Sequence, residues 1–151
     1  HTPYKVILDY SHSPDALENI LSTVRTFTRG RLISLFGCGG DRDPGKRPMM
    51  GEISGRLADY SIITSDNPRT EDPFAIMKQI EEGMIQSGGK YEMIENRRQA
   101  IRKALEMGLD GDVIVLAGKG HETYQEIMGV KRPFDEKIVV QELLDEMNAG
   151  K

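Results

Sequence analysis

Tyr60-Ser61-Ile62-Ile63-Thr64-Ser65-Asp66-Asn67-Pro68-Arg69-Thr70 passes from an apolar run into a polar loop. Tyr60 to Thr64 reads as a buried strand. Asn67-Pro68 punctuates a turn and biases Asn67 away from helix. Asp72-Pro73 then opens a helix. A strand that empties into such a loop and returns through a helix is the repeating unit of an open α/β sheet, where ligands bind beyond the carboxyl ends of the strands. Asp66, Asn67 and Arg69 therefore bring a carboxylate, an amide and a guanidinium to that edge. Arg69, next to Pro68, suits capture of a carboxylate or phosphate. The bland alternative is an Asx-type turn with a solvated arginine.

The same unit recurs on both sides. Val6-Ile7-Leu8 is a short strand, Ser13 caps a helix with Pro14 at its first position, and Leu17, Ile20, Leu21, Val24 and Phe27 form its apolar stripe, to about Thr28. Leu32 to Phe36 is a second strand, followed by a glycine-rich loop, Gly37 to Arg47, and a helix from about Pro48 to Ala58. After the Tyr60 strand comes a helix from Phe74 to Met84 with Phe74, Met77, Ile80 and Met84 inward, closed by Gly88-Gly89. Tyr91 to Ile94 is a weaker strand, and Asn96 caps a helix ended by Gly108. Asp112 to Ala117 is the strongest strand pattern, running into Gly118-Lys119-Gly120-His121-Glu122-Thr123. A hairpin turning at Met128-Gly129 and a last helix capped by Asp135, with Ile138, Val139, Leu143, Leu144 and Met147 inward, complete the chain. The expected fold is α/β and Rossmann-like: a mostly parallel sheet, helices on both faces, and a short hairpin near the end.

Composition bounds the function. The chain of 151 residues is one domain's worth, 38% hydrophobic and 29% charged, as in globular proteins. A net charge of −4 gives no general pull toward nucleic acid or an acidic membrane, and no apolar run reaches the length of a membrane span. One cysteine, Cys38, excludes an internal disulfide and fits the cytoplasm. The chain lacks an initiator Met and starts almost at once with a strand, which reads as an excised domain, with a processed terminus as the alternative.

The loops after the strands carry the chemistry. Gly37 to Arg47 combines glycines, which let backbone approach a ligand, with two aspartates and three basic residues. Gly118-Lys119-Gly120-His121 invites comparison with a phosphate-binding loop, but the Gly-Lys-Ser/Thr sequence and its spacing are absent, as is a GxGxxG fingerprint. His12 and His121 stand far apart with no metal-ligand spacing. Cys38 beside His12 is a weak candidate nucleophile, since no patterned base accompanies it.

Four segments together resemble one family: Asp9 to Asp15 (Asp-Tyr-Ser-His-Ser-Pro-Asp), Gly37 to Pro48 (Gly-Cys-Gly-Gly-Asp-Arg-Asp-Pro-Gly-Lys-Arg-Pro), Asp66-Asn67-Pro68-Arg69, and Ala117 to Glu122 (Ala-Gly-Lys-Gly-His-Glu). In that order and spacing they are similar to the C-terminal domain of the meso-diaminopimelate-adding Mur ligases of peptidoglycan synthesis. The likeness covers essentially the whole chain; Ser11 stands where the family often has Ala. It implies that residues 1–151 are the amino-acid-binding domain of a three-domain, ATP-dependent amide ligase. The other two domains would hold UDP-N-acetylmuramoyl-L-Ala-D-Glu, ATP and Mg2+, and this domain alone would be inactive.

The resemblance also implies roles by residue. Arg69 would pair with the distal carboxylate of diaminopimelate, with Asp66, Asn67 and Pro68 in the same motif and Asp66 and Asn67 binding its amine and polar atoms. Arg42 would hold a second carboxylate, Gly118 and Glu122 would complete the pocket with Glu122 toward the distal ammonium, and His12 would lie near the adenine and ribose of ATP. A free-standing α/β module binding a nucleotide or flavin is the alternative.

Overall fold

The computed structural model describes residues 3–119 and 122–149. Five strands, β1 (Lys5–Asp9), β2 (Leu32–Phe36), β3 (Tyr60–Ile63), β4 (Tyr91–Met93) and β5 (Val113–Ala117), form one sheet in the order β1-β5-β2-β3-β4, every pair parallel. The helices are α1 (Pro14–Arg25), α2 (Lys46–Leu57), α3 (Pro73–Ser87), α4 (Arg97–Met107) and α5 (Glu136–Ala149). A two-stranded antiparallel hairpin, β6 (Tyr124–Ile127) and β7 (Val130–Pro133), precedes α5. No helix among the described residues is long and apolar enough to cross a membrane.

Strand alternation sorts the core into two layers. Leu32, Phe36, Ile63, Val113 and Val115 pack with α1, α2 and α3, whereas Ile33, Leu35, Ile62, Ile114 and Leu116 pack with α4 and α5. This division follows from right-handed crossovers: connections that step one way along the sheet lie on one face, and the return from β4 to β5 lies on the other. The direction therefore reverses at β5, between β1 and β2, and such a reversal opens a crevice at the carboxyl edge. Packing of α2 on α3 is backbone-close, since a Cβ at Gly83 would sit 1.7 Å from Pro48 O.

Caps fall where expected: Ser13 accepts from Ala16 N–H and Asn96 from Gln99 N–H, while Gly88 ends α3 in the left-handed region. The hairpin turns through Met128 and Gly129, both at positive φ, 51° and 77°, as a tight hairpin demands. Several expectations need correction. α1 ends at Arg25 and continues as a hydrogen-bonded turn to Thr28, which leaves Phe27 half exposed with Lys5 Nζ 5.5 Å from its ring. α2 starts at Lys46, two residues early, and α3 runs from Pro73 to Ser87. Phe74 and Ile138 face outward, because each lies at the flank of an apolar stripe whose centre is filled by neighbours such as Met77 and Val139.

At the opposite, amino-terminal edge, buried Asp112 accepts from the backbone and side chain of Arg31 and from Leu109 N–H. Burial opposes its ionisation, but those hydrogen bonds and the Arg31 charge outweigh burial and hold its pKa below the usual carboxylate value. A depressed folded pKa contributes stability that is present above the unfolded pKa and is lost as pH falls through the folded one. Asp112→Asn should therefore destabilise by about 2–3 kcal/mol at pH 7. The gap should narrow below about pH 4. Urea unfolding of both proteins at pH 7 and pH 3 measures it, and an equal gap at both would contradict the assignment.

Candidate functional site

At the reversal crevice, residues from four loops line a cavity of about 300 Å³. The loop after β1 contributes Tyr10 and His12, that after β2 Gly39 and Arg42, that after β3 Asp66, Asn67 and Arg69, and that after β5 Gly118 and Glu122; Lys46, at the start of α2, completes the wall. Seven of the eight candidate residues thus meet at one place. Pro68 is buried beside them and serves as backbone: Gly40 packs so closely on it that a Cβ there would lie 1.8 Å from Pro68 O. Gly120 and His121 lie outside the described residues.

Buried cations hold these loops. Arg97 is fully buried, pairs with Glu136 at 2.6 Å, and donates to Ser65 O and Ala117 O, so it ties the ends of β3 and β5. Its guanidinium is opposed by burial, yet Glu136 and the nearby carboxylates more than compensate and push its pKa up. Arg47, also buried, donates to Gly39 O, Gln79 Oε1 and Glu71, which joins the β2 loop to α3. The Arg47 hydrogen bond is the main reason the Glu71 carboxyl lies below its ordinary pKa. Lys119, fully buried, reaches Asn67 Oδ1 at 2.9 Å, Tyr124 O at 3.0 Å and Asp66 Oδ1 at 3.1 Å.

The Asp66–Arg69 loop is also clasped by the hairpin. Gln125 donates to Ser65 Oγ and Asp66 O, and Glu126 N–H donates to Asn67 Oδ1. Arg69 N–H donates to Glu126 O, and Met128 N–H donates to Arg69 O. Arg69 itself sits at φ 53°, a costly conformation for a residue with a Cβ. Its Nη1 donates to Gly40 O at 2.9 Å and its Nε faces Glu126 Oε1 at 3.5 Å. Nη2 makes no hydrogen bond among the described residues, so this is the edge of the fork left for a ligand. Both lone pairs of Asn67 Oδ1 are taken by Lys119 and Glu126, which leaves the carboxamide nitrogen for the cavity.

Across the crevice, Asp41 accepts from Thr70, and those hydrogen bonds lead the causes that lower its pKa. Lys46 Nζ donates to His12 O at 2.9 Å, and the rings of Tyr10 and His12 meet edge to face at 5.1 Å. Asp66 Oδ1 and Glu122 Oε1 are buried acceptors whose charged neighbour is Lys119 Nζ, at 3.1 Å and 3.6 Å. Cys38 is no nucleophile: it is buried with its Sγ 3.6 Å from Met50 Sδ, and burial pushes the thiol up to about 12.

Sequence reasoning missed Arg47, Arg97, Lys119 and the hairpin contacts. A signal existed for the arginines. Both lie in the first turn of a helix with no acidic residue there, where the helix dipole disfavours a cation. Such a placement needs a specific partner.

Fold and crevice define a domain of the open α/β class, with charges of both signs around one cavity. The chain belongs to the Mur ligase family: the domain described as "Mur ligase, glutamate ligase domain" matches residues 1–120. Within it, the chain is 56% identical over 95% of its length to the UDP-N-acetylmuramoyl-L-alanyl-D-glutamate–2,6-diaminopimelate ligase of Clostridium botulinum. It is 55% identical, again over 95%, to the ligase of the same name from Clostridium perfringens. The chain spans 29% of each of these relatives. A solved structure of a ligase of that name superposes over 98% of the chain with a TM-score of 0.93 at 43% identity, covering 30% of that protein. Family membership sets aside the flavin or free-standing nucleotide module.

The Arg97–Glu136 pair supplies a test of how the site is held. Glu136→Ala leaves a buried guanidinium uncompensated and should cost about 3–5 kcal/mol in denaturant unfolding. Arg97→Met combined with Glu136→Leu should recover much of that loss. A cost below about 1 kcal/mol for Glu136→Ala would show that Arg97 does not depend on its partner.

Proposed function

We propose that this chain is the amino-acid-binding, C-terminal domain of a three-domain, ATP-dependent ligase that joins meso-diaminopimelate to UDP-N-acetylmuramoyl-L-Ala-D-Glu. The observation that carries the reading is the charge pattern of the cavity: the guanidinium groups of Arg42 and Arg69 and the carboxylates of Asp66 and Glu122 line the same space. Diaminopimelate has two carboxylates and two amines, and each finds a partner of opposite charge. Asp66 and Glu122, carboxylates in the cavity lining, suit the ammonium groups. Arg69 Nη2, with the Asn67 carboxamide, suits the distal carboxylate.

In this reaction ATP supplies the phosphoryl group that activates the glutamate carboxylate as an acyl phosphate. This domain holds diaminopimelate so that one amine, deprotonated, can attack that carbonyl and expel phosphate. No Gly-Lys-Ser/Thr loop occurs in the sequence to hold the nucleotide's phosphates. No three His, Cys, Asp or Glu side chains gather to hold a metal among the described residues. Mg2+ and most of the ATP contacts are therefore assigned to the rest of the ligase, with His12 at the nucleotide's edge. The nucleotide-linked precursor and ATP put the reaction in the cytoplasm, and nucleic acid and membrane have no part in it. The chain by itself is expected to give no ligation and no ATP turnover in a coupled ADP assay.

Lysine lacks the distal carboxylate, so it would leave Arg69 unpaired in a part-buried site, and that is the proposed basis of discrimination. In the full-length ligase, Arg69→Ala should lower kcat/KM for diaminopimelate by about 30- to 1,000-fold. The weak use of lysine should change far less. Arg69→Gly, which accepts the positive φ without strain, should lose as much, because the guanidinium is what matters. Arg69→Lys should recover only part, since an ammonium cannot present a fork. Equal losses for diaminopimelate and lysine would mean that Arg69 supports the loop and does not read the carboxylate.

A further inference from the structure

Lys119 is a fully buried charge in direct contact with the site's carboxylates, and no contact with substrate is assigned to it. Its side chain is 0% exposed, yet its Nζ is surrounded by oxygens from three separate segments. Asp66 Oδ1 at 3.1 Å and Asn67 Oδ1 at 2.9 Å come from the loop after β3, Tyr124 O at 3.0 Å from β6, and Glu122 Oε1 at 3.6 Å from its own loop. An unpaired buried ammonium is strongly unfavourable, so these oxygens must stay where they are for the fold to keep it. Conversely, Asp66 and Glu122 are like charges facing one cavity, and the ammonium between them offsets their repulsion.

We propose that Lys119 is the positioning residue for the amine-binding half of this site. It sets the spacing of Asp66 and Glu122 and, through Asn67 Oδ1, turns the Asn67 carboxamide so that its nitrogen faces the ligand. The inference rests on the diaminopimelate reading above for its ligand but not for its geometry. Other cations near the cluster have other contacts. Arg97 is paired with Glu136, Arg69 faces Glu126, Lys46 donates to His12 O, and Arg42 donates to Asp41 O. Lys119 is thus the one cation in ion-pair contact with both Asp66 and Glu122 among the described residues; Arg97, which also feels both charges, touches neither.

Lys119→Met keeps the apolar stem and removes the charge. In the full-length ligase it should raise KM for diaminopimelate by about 10- to 100-fold. KM for ATP and for the nucleotide-linked precursor should stay within about twofold, a split that general loosening of the fold would not produce. Comparable rises for all three substrates, or no rise for diaminopimelate, would overturn the proposal. Should Lys119→Met fail to fold, the double variant Lys119→Met/Asp66→Asn, which removes both charges, is expected to fold again; a double variant that stays unfolded would also overturn it. The same pair gives a test that needs no substrate. Unfolding in denaturant should show Asp66→Asn to be markedly destabilising beside Lys119 and nearly neutral beside Met at that position. Additive effects refute the coupling. Wild-type enzyme that does not use diaminopimelate would sink the substrate reading alone, with the positioning role then judged by this cycle.

Discussion

Parallel strands that end together leave a row of backbone carbonyls and loop oxygens at one edge, and much of this structure depends on how that edge is satisfied. Three cations taken into the interior do it: Arg97 bridges Ser65 O in the loop after β3 to the last carbonyl of β5, Arg47 binds the β2 loop to α3, and Lys119 gathers the β3 loop, the β5 loop and β6. Each is costly alone and tolerable only with its full set of partners. The loops they hold therefore have little freedom to drift, and a crevice made largely of loop becomes a defined receptacle.

That arrangement explains how one small cavity can display both signs of charge without collapsing into internal salt bridges. Asp66 is already in contact with Lys119, and Arg69 is committed through Nη1 to carbonyls and through Nε to Glu126. Direct pairing of Asp66 with Arg69 would empty the site of function. The internal partners keep the two apart, each with one face turned to the cavity. The left-handed backbone at Arg69 belongs to the same design: the hairpin bonds on either side of it over-determine a conformation that the residue would otherwise avoid.

Much of this was legible in the sequence. Short apolar runs ended by Gly, Pro and Asn marked the strands of the sheet, and Ser13, Asn96 and Met128-Gly129 carried their local chemistry with them. The four motif loops converge because parallel topology leaves them no other edge. What stayed hidden was long-range. Phe27, Phe74 and Ile138 sit at stripe borders, where only the packed neighbour decides which side is inside. Lys119 looked like a failed phosphate loop, since nothing local shows that its ammonium is enclosed by Tyr124 and Asn67. Gln125, a buried donor to Ser65 and Asp66, is indistinguishable in sequence from any polar strand residue.

Strand order also governs when this site can come into being. β5 lies between β1 and β2, and β1 pairs with nothing else. On a ribosome, the first strand therefore emerges with no hydrogen-bonding neighbour and must wait while β2, β3 and β4 are made. Only when Val113 to Ala117 inserts does the sheet close, and only when Tyr124 to Glu136 follows do Lys119 and Arg97 receive the last of their partners. A nascent chain that stalls before that point carries every loop of the crevice, but it lacks the last segment that would shape them.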